Sequence, residues 1–257
     1  MSLLVVEHLS KSYDGFRALE GVDFTLDPGS ATAIIGPNGA GKSTCFNLLG
    51  GQIKPTEGRI RFDGQDITDL KPQAVARAGI GRTFQIASAF ASMSVEENLR
   101  TALEIASGRS RMPWRRRQNV TASVDSLLDD VNLQALREQP VANLAYGDVK
   151  RLEIAIALAS KPRLLLLDEP TAGMAKADRG PLMELIQVLR RRQNLTVLFT
   201  EHDMEIVFGT AERVIVLHRG QLVADGSPEA VRRNDTVREI YLGTRFGDQE
   251  VTDHAHR

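Results

Sequence analysis

Residues 31–44 read Ala-Thr-Ala-Ile-Ile-Gly-Pro-Asn-Gly-Ala-Gly-Lys-Ser-Thr. The first five, Ala31–Ile35, suit a buried strand, and the nine that follow fit the pattern G-x-x-x-x-G-K-[ST]. Strand, glycine-rich loop and helix-compatible run, in that order, make a phosphate-binding loop. Glycines at 36, 39 and 41 let the backbone curl so that successive N–H groups point inward, those of Asn38 and Ala40 among them. The helix that follows offers its positive end to the same point. In such a loop Lys42 contacts the β- and γ-phosphates of a nucleotide, and the hydroxyl of Ser43, beside Thr44, ligates Mg²⁺.

A second segment answers the first. Leu164-Leu-Leu-Leu-Asp168-Glu169-Pro170 is a continuous apolar run closing on two carboxylates, suited to a strand buried on both faces. Ligands sit at the strand ends of such sheets. Asp168 is placed to hold Mg²⁺ through its water shell, and Glu169 to polarise an attacking water.

Working outward, short β-branched and apolar runs recur at Leu3–Glu7, Val22–Leu26 and Arg59–Phe62, separated by Asp14-Gly15, Pro28-Gly29 and Asp63-Gly64. These predict strands and turns. From about Val95 to Ser160 the pattern is helical, broken by Gly108 to Arg117. Strand signals return at Arg163–Leu167, Thr196–Thr200, Arg213–Leu217 and Gln221–Ala224, with helical segments near Arg179–Arg192 and Asp203–Phe208. Alternating strands and helices predict an α/β fold with a mostly parallel, doubly wound sheet. The helical stretch reads as an insertion into that core, and the early strands as an antiparallel flank.

Composition agrees with a globular chain: 257 residues, 42% hydrophobic and 25% charged. The 32 basic and 33 acidic side chains leave a net charge of -1, so no global field draws the protein to nucleic acid or anionic lipid. The longest apolar run, Ile154 to Ala159, falls far short of the roughly 20 residues of a spanning helix. The N-terminal MSLLVVEHLSKSY lacks the pattern of a signal peptide, and the single cysteine, Cys45, excludes an intramolecular disulfide. Both favour a cytosolic setting, with Cys45 packed in a helix as a small apolar residue.

These motifs leave two readings open, a small-molecule kinase and a hydrolytic ATPase. Leu144-Ala145-Tyr146-Gly147-Asp148 directly precedes the helix-compatible run Val149–Ser160. Here the chain resembles the ABC-type ATPase family, whose signature has the form L-S-G-G-Q ahead of such a helix. The resemblance covers nearly the whole chain, because the other elements follow in the family's order. Tyr13 in KSYDGFRAL is similar to the aromatic that stacks on adenine. Gln85 in GRTFQ is similar to the glutamine that senses Mg²⁺ and the transport domain, and His202 in LFTEHD to the switch histidine at the γ-phosphate.

The resemblance implies a RecA-like P-loop NTPase: one ABC ATPase domain spanning 1–257, with a nucleotide-binding α/β core at 1–90 and 161–246. A helical signature subdomain is expected at 91–160 and a flexible tail at 247–257. It implies ATP and Mg²⁺ as cofactors, with Ser43, Gln85 and Asp168 at the metal and Glu169, His202 and Lys42 in catalysis. Ala145 and Gly147 would meet ATP held by a second cassette, so that ATP closes a dimer and hydrolysis releases it. Transmembrane permease subunits are the implied partners, with a solute-binding protein indirectly and no nucleic acid. The expected location is peripheral, on the cytoplasmic face of the inner membrane.

Departures narrow the reading. Ala145 stands where most cassettes carry Ser, Asp148 replaces Gln or Glu, and Ala175 stands where most have an Asp that crosses the dimer interface. With Lys150-Arg151-Leu152-Glu153-Ile154-Ala155, Thr-Glu-His202-Asp-Met204 and Glu239-Ile-Tyr241-Leu242-Gly243, the chain is similar to the ATPases of branched-chain amino acid importers. Relatives serving urea, short amides or aromatic acids are similar in the same segments. Such importers carry two different ATPase chains, which implies a heterodimer as an alternative to a homodimer. By the resemblance Ile86, Phe90 and Met93 would line the groove that receives a coupling helix; packing within the helical insertion is the other reading of these apolar residues.

The alternative from another class is a soluble ABC ATPase acting on ribosomes or DNA. One cassette, and about sixty residues between Gln85 and Leu144, argue against it, since DNA-repair members insert a very long coiled coil. A P-loop kinase would need a mobile arginine-rich lid, for which Arg115–Arg117 is the sole candidate. Arg109, Arg111 and Arg115–Arg117 with Trp114 read as a solvated loop, Arg190–Arg192 as a charge run at a helix end, and His254 and His256 as short of a metal site.

Overall fold

The computed structural model describes residues 2–83, 89–107 and 117–242, with the side chains of 117–120 and 242 left aside. The chain opens with a long antiparallel pair, β1 (Leu4–Tyr13) and β2 (Phe16–Leu26). β4 (Glu57–Phe62) pairs with the other edge of β1, and β5 (Gln65–Asp66) completes a four-stranded sheet in the order β2-β1-β4-β5. β1 runs past the expected end at Glu7 because Lys11, Ser12 and Tyr13 pair with Leu19, Arg17 and Phe16 across the hairpin. Cross-strand pairing there holds residues that apolar alternation does not mark.

The second sheet contains β3 (Ala31–Ile35), β6 (Ile80–Arg82), β7 (Leu164–Asp168), β8 (Thr196–Thr200), β9 (Arg213–His218) and β10 (Gln221–Gly226), ordered β10-β9-β3-β8-β7-β6. All pairings are parallel except β9 with β10. β3, β7 and β8 are buried at every position, which explains their unbroken apolar runs. Alternate residues point into two different cores, as the period of two in a strand requires. Ala33, Ile35, Leu165, Leu167, Val197 and Phe199 face the core shared with the inserted helices. Ile34, Leu164, Leu166 and Leu198 face the antiparallel sheet and α1 (Lys42–Leu49).

The inserted helices are α3 (Val95–Ala106), α4 (Arg117–Val131) and α5 (Tyr146–Leu158). A short α2 (Pro72–Ala78) precedes β6, and α6 (Lys176–Gln193), α7 (Met204–Thr210), α8 (Pro228–Arg233) and α9 (Asp235–Leu242) belong to the second half of the chain. α3 starts on a capping box: the Glu97 N–H donates to Ser94 Oγ (3.1 Å) and the Ser94 N–H to Glu97 Oε2 (2.8 Å), satisfying two of the helix's orphan donors. Glu96 binds Arg100 and Arg137, and Arg137 also binds Asp125 (2.7 Å), joining α3 and α4 to the turn after them. β6 was not expected from the sequence, since three residues with a central glycine carry no strand signal. α5 begins at Tyr146 and α6 at Lys176, three residues ahead of the predicted starts; in α5 the low helix propensity of Gly147, inside the first turn, hides the start. Cys45 lies in α1, wholly buried, and burial pushes its thiol up to about 12.

Candidate functional site

At the end of β3 the chain makes a turn that only glycine permits. A β-carbon on Gly36 would lie 2.2 Å from the Leu217 carbonyl oxygen, and one on Gly41 would lie 2.6 Å from the Ala18 oxygen. Gly41 also has φ 105, in the left-handed region that favours glycine. The loop is therefore pressed between β9 and β2, and a hydrogen bond from Gly220 N–H to Ala40 O (3.0 Å) fixes it further. α1 starts at Lys42 without a side-chain cap, leaving its first N–H groups to an anion. Lys42 is buried and its Nζ donates to Gly36 O (2.6 Å) and Pro37 O (3.2 Å). Burial pushes its ammonium below the ordinary value, while Glu169 and Asp168 pull it back up. The Ser43 side chain stands exposed at the helix start, with Thr44 beside it. Asn38 and Gly39 are exposed at the tip of the loop.

The carboxylates come from the neighbouring parallel strands. Asp168 ends β7, buried, and its Oδ1 accepts from Thr200 Oγ1 at the end of β8 (2.7 Å). The same hydroxyl oxygen accepts from Glu169 N–H (3.0 Å), which also donates to Thr200 O (3.2 Å). These bonds hold Glu169 at φ 49, a left-handed conformation that costs a non-glycine residue about 1–2 kcal/mol. In this position Glu169 Oε1 lies 2.8 Å from His202 Nε2. Glu201, buried, accepts from Thr171 N–H (2.8 Å) and binds the turn after Glu169 to the end of β8. Asp168 Oδ2 faces Arg82 at the end of β6 (3.4 Å). Asp168, Glu169, the buried Lys42, the half-buried Arg82 and His202 thus gather at the C-terminal edge of the parallel sheet, the side on which such sheets bind ligands.

Tyr13 lies at the tip of the β1–β2 hairpin, 44% exposed, with the Lys11 ammonium 5.1 Å from its ring centroid. Its sheet is the one pressed on the phosphate loop through Ala18. Ala145 and Gly147 lie at the start of α5, where Ala145 occupies the N-cap position without a side-chain bond. Tyr146 Oη donates to Ala172 O (3.0 Å), its ring lies against Gly173, and Gly147 faces Met174. The signature segment therefore rests on the turn that follows Glu169 in the same chain. Gln85, Ile86, the Arg109 to Arg116 segment with Trp114, and the tail with His254 and His256 lie outside the described residues.

The structure brings together Lys42, Asp168, Glu169 and His202. It adds Thr200, Glu201 and Arg82, which the sequence reading missed. Thr200-Glu201 directly precedes His202 at a strand end, a position that signals a role; Arg82 gives no pattern signal. Among the described residues no group of three or more His, Cys, Asp or Glu is arranged to hold a metal. Ser43 and Asp168 supply hard oxygens of the kind Mg²⁺ takes when substrate phosphates complete its shell. No helix of the described residues is long and apolar enough to cross a membrane.

Comparison with known proteins gives the same picture. The family model described as ABC transporter matches residues 19–172, and the model for branched-chain amino acid ATP-binding cassette transporters matches residues 221–247. BraF of Pseudomonas aeruginosa, a high-affinity branched-chain amino acid transport ATP-binding protein, is 39% identical over 249 residues, covering 94% of this chain and 98% of its own. LivG of Escherichia coli K12, of the same description, is 40% identical over the same shares. Among solved structures, the ADP conformation of an ATP-binding cassette of an ABC transporter superposes with a TM-score of 0.82 at 31% identity, covering 95% of this chain and 100% of that one. With its phosphate loop, its paired carboxylates and these relatives, the chain belongs to the ATP-binding cassette family of ABC transporters and is an ATPase subunit of that kind.

Proposed function

We propose that this subunit powers an importer of branched-chain amino acids or related small polar solutes by ATP-driven closure of two cassettes. The relatives of that description support the cargo class, as does the match of the C-terminal model. In this reading the N–H groups of the phosphate loop and Lys42 bind the β- and γ-phosphates, and Tyr13 offers its exposed face to the adenine. Ser43 and Asp168, with Gln85, would hold Mg²⁺, which when bound would supply charge neutralisation at the phosphates. Glu169 orients and deprotonates the attacking water, and His202, hydrogen-bonded to Glu169, carries charge at the γ-phosphate.

The observation that carries the catalytic reading is the 2.8 Å contact of Glu169 with His202, set on the Thr200 anchor. Uncapped N–H groups at the start of α5 supply the anion site that Ala145 and Gly147 would offer to ATP on a second cassette. Ala145 lacks the hydroxyl most cassettes add there, so the backbone alone makes that contact. Phe90, 53% exposed, is held in place because Asn98 bonds its N–H (2.7 Å) and its carbonyl (3.1 Å). With Met93 it forms the surface proposed to receive a permease helix at the cytoplasmic face of the membrane.

The test is phosphate release by the assembled importer. Glu169→Gln is expected to abolish hydrolysis while retaining ATP binding. Hydrolysis at the wild-type rate would reject the site. Recovery of ribosomes or DNA rather than permease subunits, on pull-down from solubilised membranes, would reject the importer.

A further inference from the structure

Arg82 is the last residue of β6, the edge strand beside β7, with its side chain 12% exposed against 3% for Asp168. One of its terminal nitrogens shares its two hydrogens among three acceptors: Phe46 O (3.1 Å) and Asn47 Oδ1 (2.9 Å) in the last turn of α1, and Gln52 Oε1 (2.8 Å) in the turn beyond. The other terminal nitrogen lies 3.4 Å from Asp168 Oδ2. Its Nε is buried with no partner among the described residues.

The geometry divides Asp168 between two neighbours, Thr200 on Oδ1 and Arg82 on Oδ2. That fixes the plane of the carboxylate. It also fixes the far end of the helix whose first two residues are Lys42 and Ser43. Planar, fixed-fork geometry is what lets one side chain serve acceptors on α1 and a carboxylate on β7; a lysine has only one point of charge. We propose that Arg82 is a positioning residue for the metal site: by holding Asp168 and the end of α1 in one frame, it sets how readily Mg²⁺ joins the bound nucleotide. This rests on the reading of Asp168 as a Mg²⁺-holding carboxylate.

The probe is a methylanthraniloyl-labelled ATP whose fluorescence reports binding, titrated with Mg²⁺ at fixed nucleotide and also measured in EDTA. Residues that orient metal ligands change metal affinity by roughly 10–100-fold when removed. Arg82→Gln is expected to raise the Mg²⁺ concentration for half-maximal binding by about tenfold, the low end of that range. Arg82→Lys is expected to raise it less, and nucleotide affinity in EDTA should stay as in the wild type. Should Arg82→Gln fail to fold, the double variant Asn47→Ala with Gln52→Ala loosens the fork without uncovering Asp168, and is expected to shift the Mg²⁺ midpoint in the same direction.

A midpoint unchanged in the folded variants, or shifted to lower Mg²⁺, would overturn the proposal, as would an equal loss of affinity with and without Mg²⁺. Asp168→Asn is the control. If it leaves the Mg²⁺ midpoint in place, the reading of Asp168 fails; if it moves the midpoint and the Arg82 variants do not, only the role of Arg82 fails.

Discussion

Replacing Thr200 by valine removes one hydroxyl from a wholly buried position and changes little else in shape. That hydroxyl donates to Asp168 Oδ1 at 2.7 Å and accepts from Glu169 N–H at 3.0 Å. The first bond is charge-assisted and contributes about 1.5–3 kcal/mol. The second is lost at smaller cost, because Glu169 N–H keeps a bond to Thr200 O at 3.2 Å; about 0.5 kcal/mol is the low end for such a bond. Thr200→Val is therefore expected to lower unfolding free energy by about 2–3.5 kcal/mol on the same scale, read from urea titration. Because the hydroxyl orients the Asp168 carboxylate and is one of the two bonds that hold the left-handed turn at Glu169, hydrolysis should fall with little change in nucleotide affinity. Thr200→Ser keeps the hydroxyl and loses a methyl group, so it should cost about 1 kcal/mol and retain most of the rate. A valine variant within 0.5 kcal/mol of wild type, hydrolysing at the wild-type rate, would refute the claim that Thr200 ties the Asp168 carboxylate to the Glu169 backbone.

Three further expectations follow from the same structure. Gly36→Ala puts a methyl group 2.2 Å from Leu217 O, so it should cost about 1–3 kcal/mol, as overpacking does, and weaken nucleotide binding; thermal unfolding and labelled-ATP titration check both. Lys150→Met leaves Glu153, 3.1 Å away and buried, without its cation, at a cost of about 3–5 kcal/mol near neutral pH. Burial already raises the Glu153 pKa from 4.5 against the pull of Lys150, and the variant raises it further. The variant's deficit should therefore be absent below pH 4.5 and grow as pH rises through the folded-state value, as stability measured against pH will show. Ala145→Ser should strengthen ATP-dependent dimerisation of the Glu169→Gln form, and unchanged or weaker sedimentation of the dimer would count against the signature contact.

What was legible in the sequence is what a short pattern can carry. The phosphate loop and the Leu164–Glu169 strand are local: their chemistry needs particular residue types at fixed spacing, so a reader of the chain finds them, and the alternation of strand and helix signals gives the parallel sheet. The helical insertion and the antiparallel flank were readable from periodicity, with an error at the start of α5, where Gly147 sits inside the helix. Three-residue β6 was invisible, and with it the place of Arg82, because a strand that short has no pattern of its own and exists by pairing with β7.

The remainder depends on contacts between distant segments. Thr200 matters because β8 lies beside β7 in register, Asp168 opposite Thr200; that adjacency is a property of the sheet order, and no spacing along the chain encodes it. Arg82 matters because β6 is the other neighbour of β7. Sheet order therefore explains both missed residues at once: the two strands flanking β7 each send a side chain to one oxygen of Asp168. A carboxylate at the end of a central parallel strand is reached from both sides, so its supports are to be sought at the ends of the adjacent strands, wherever those fall in the sequence. The same rule accounts for His202, two residues past the end of β8, meeting Glu169, one residue past the end of β7.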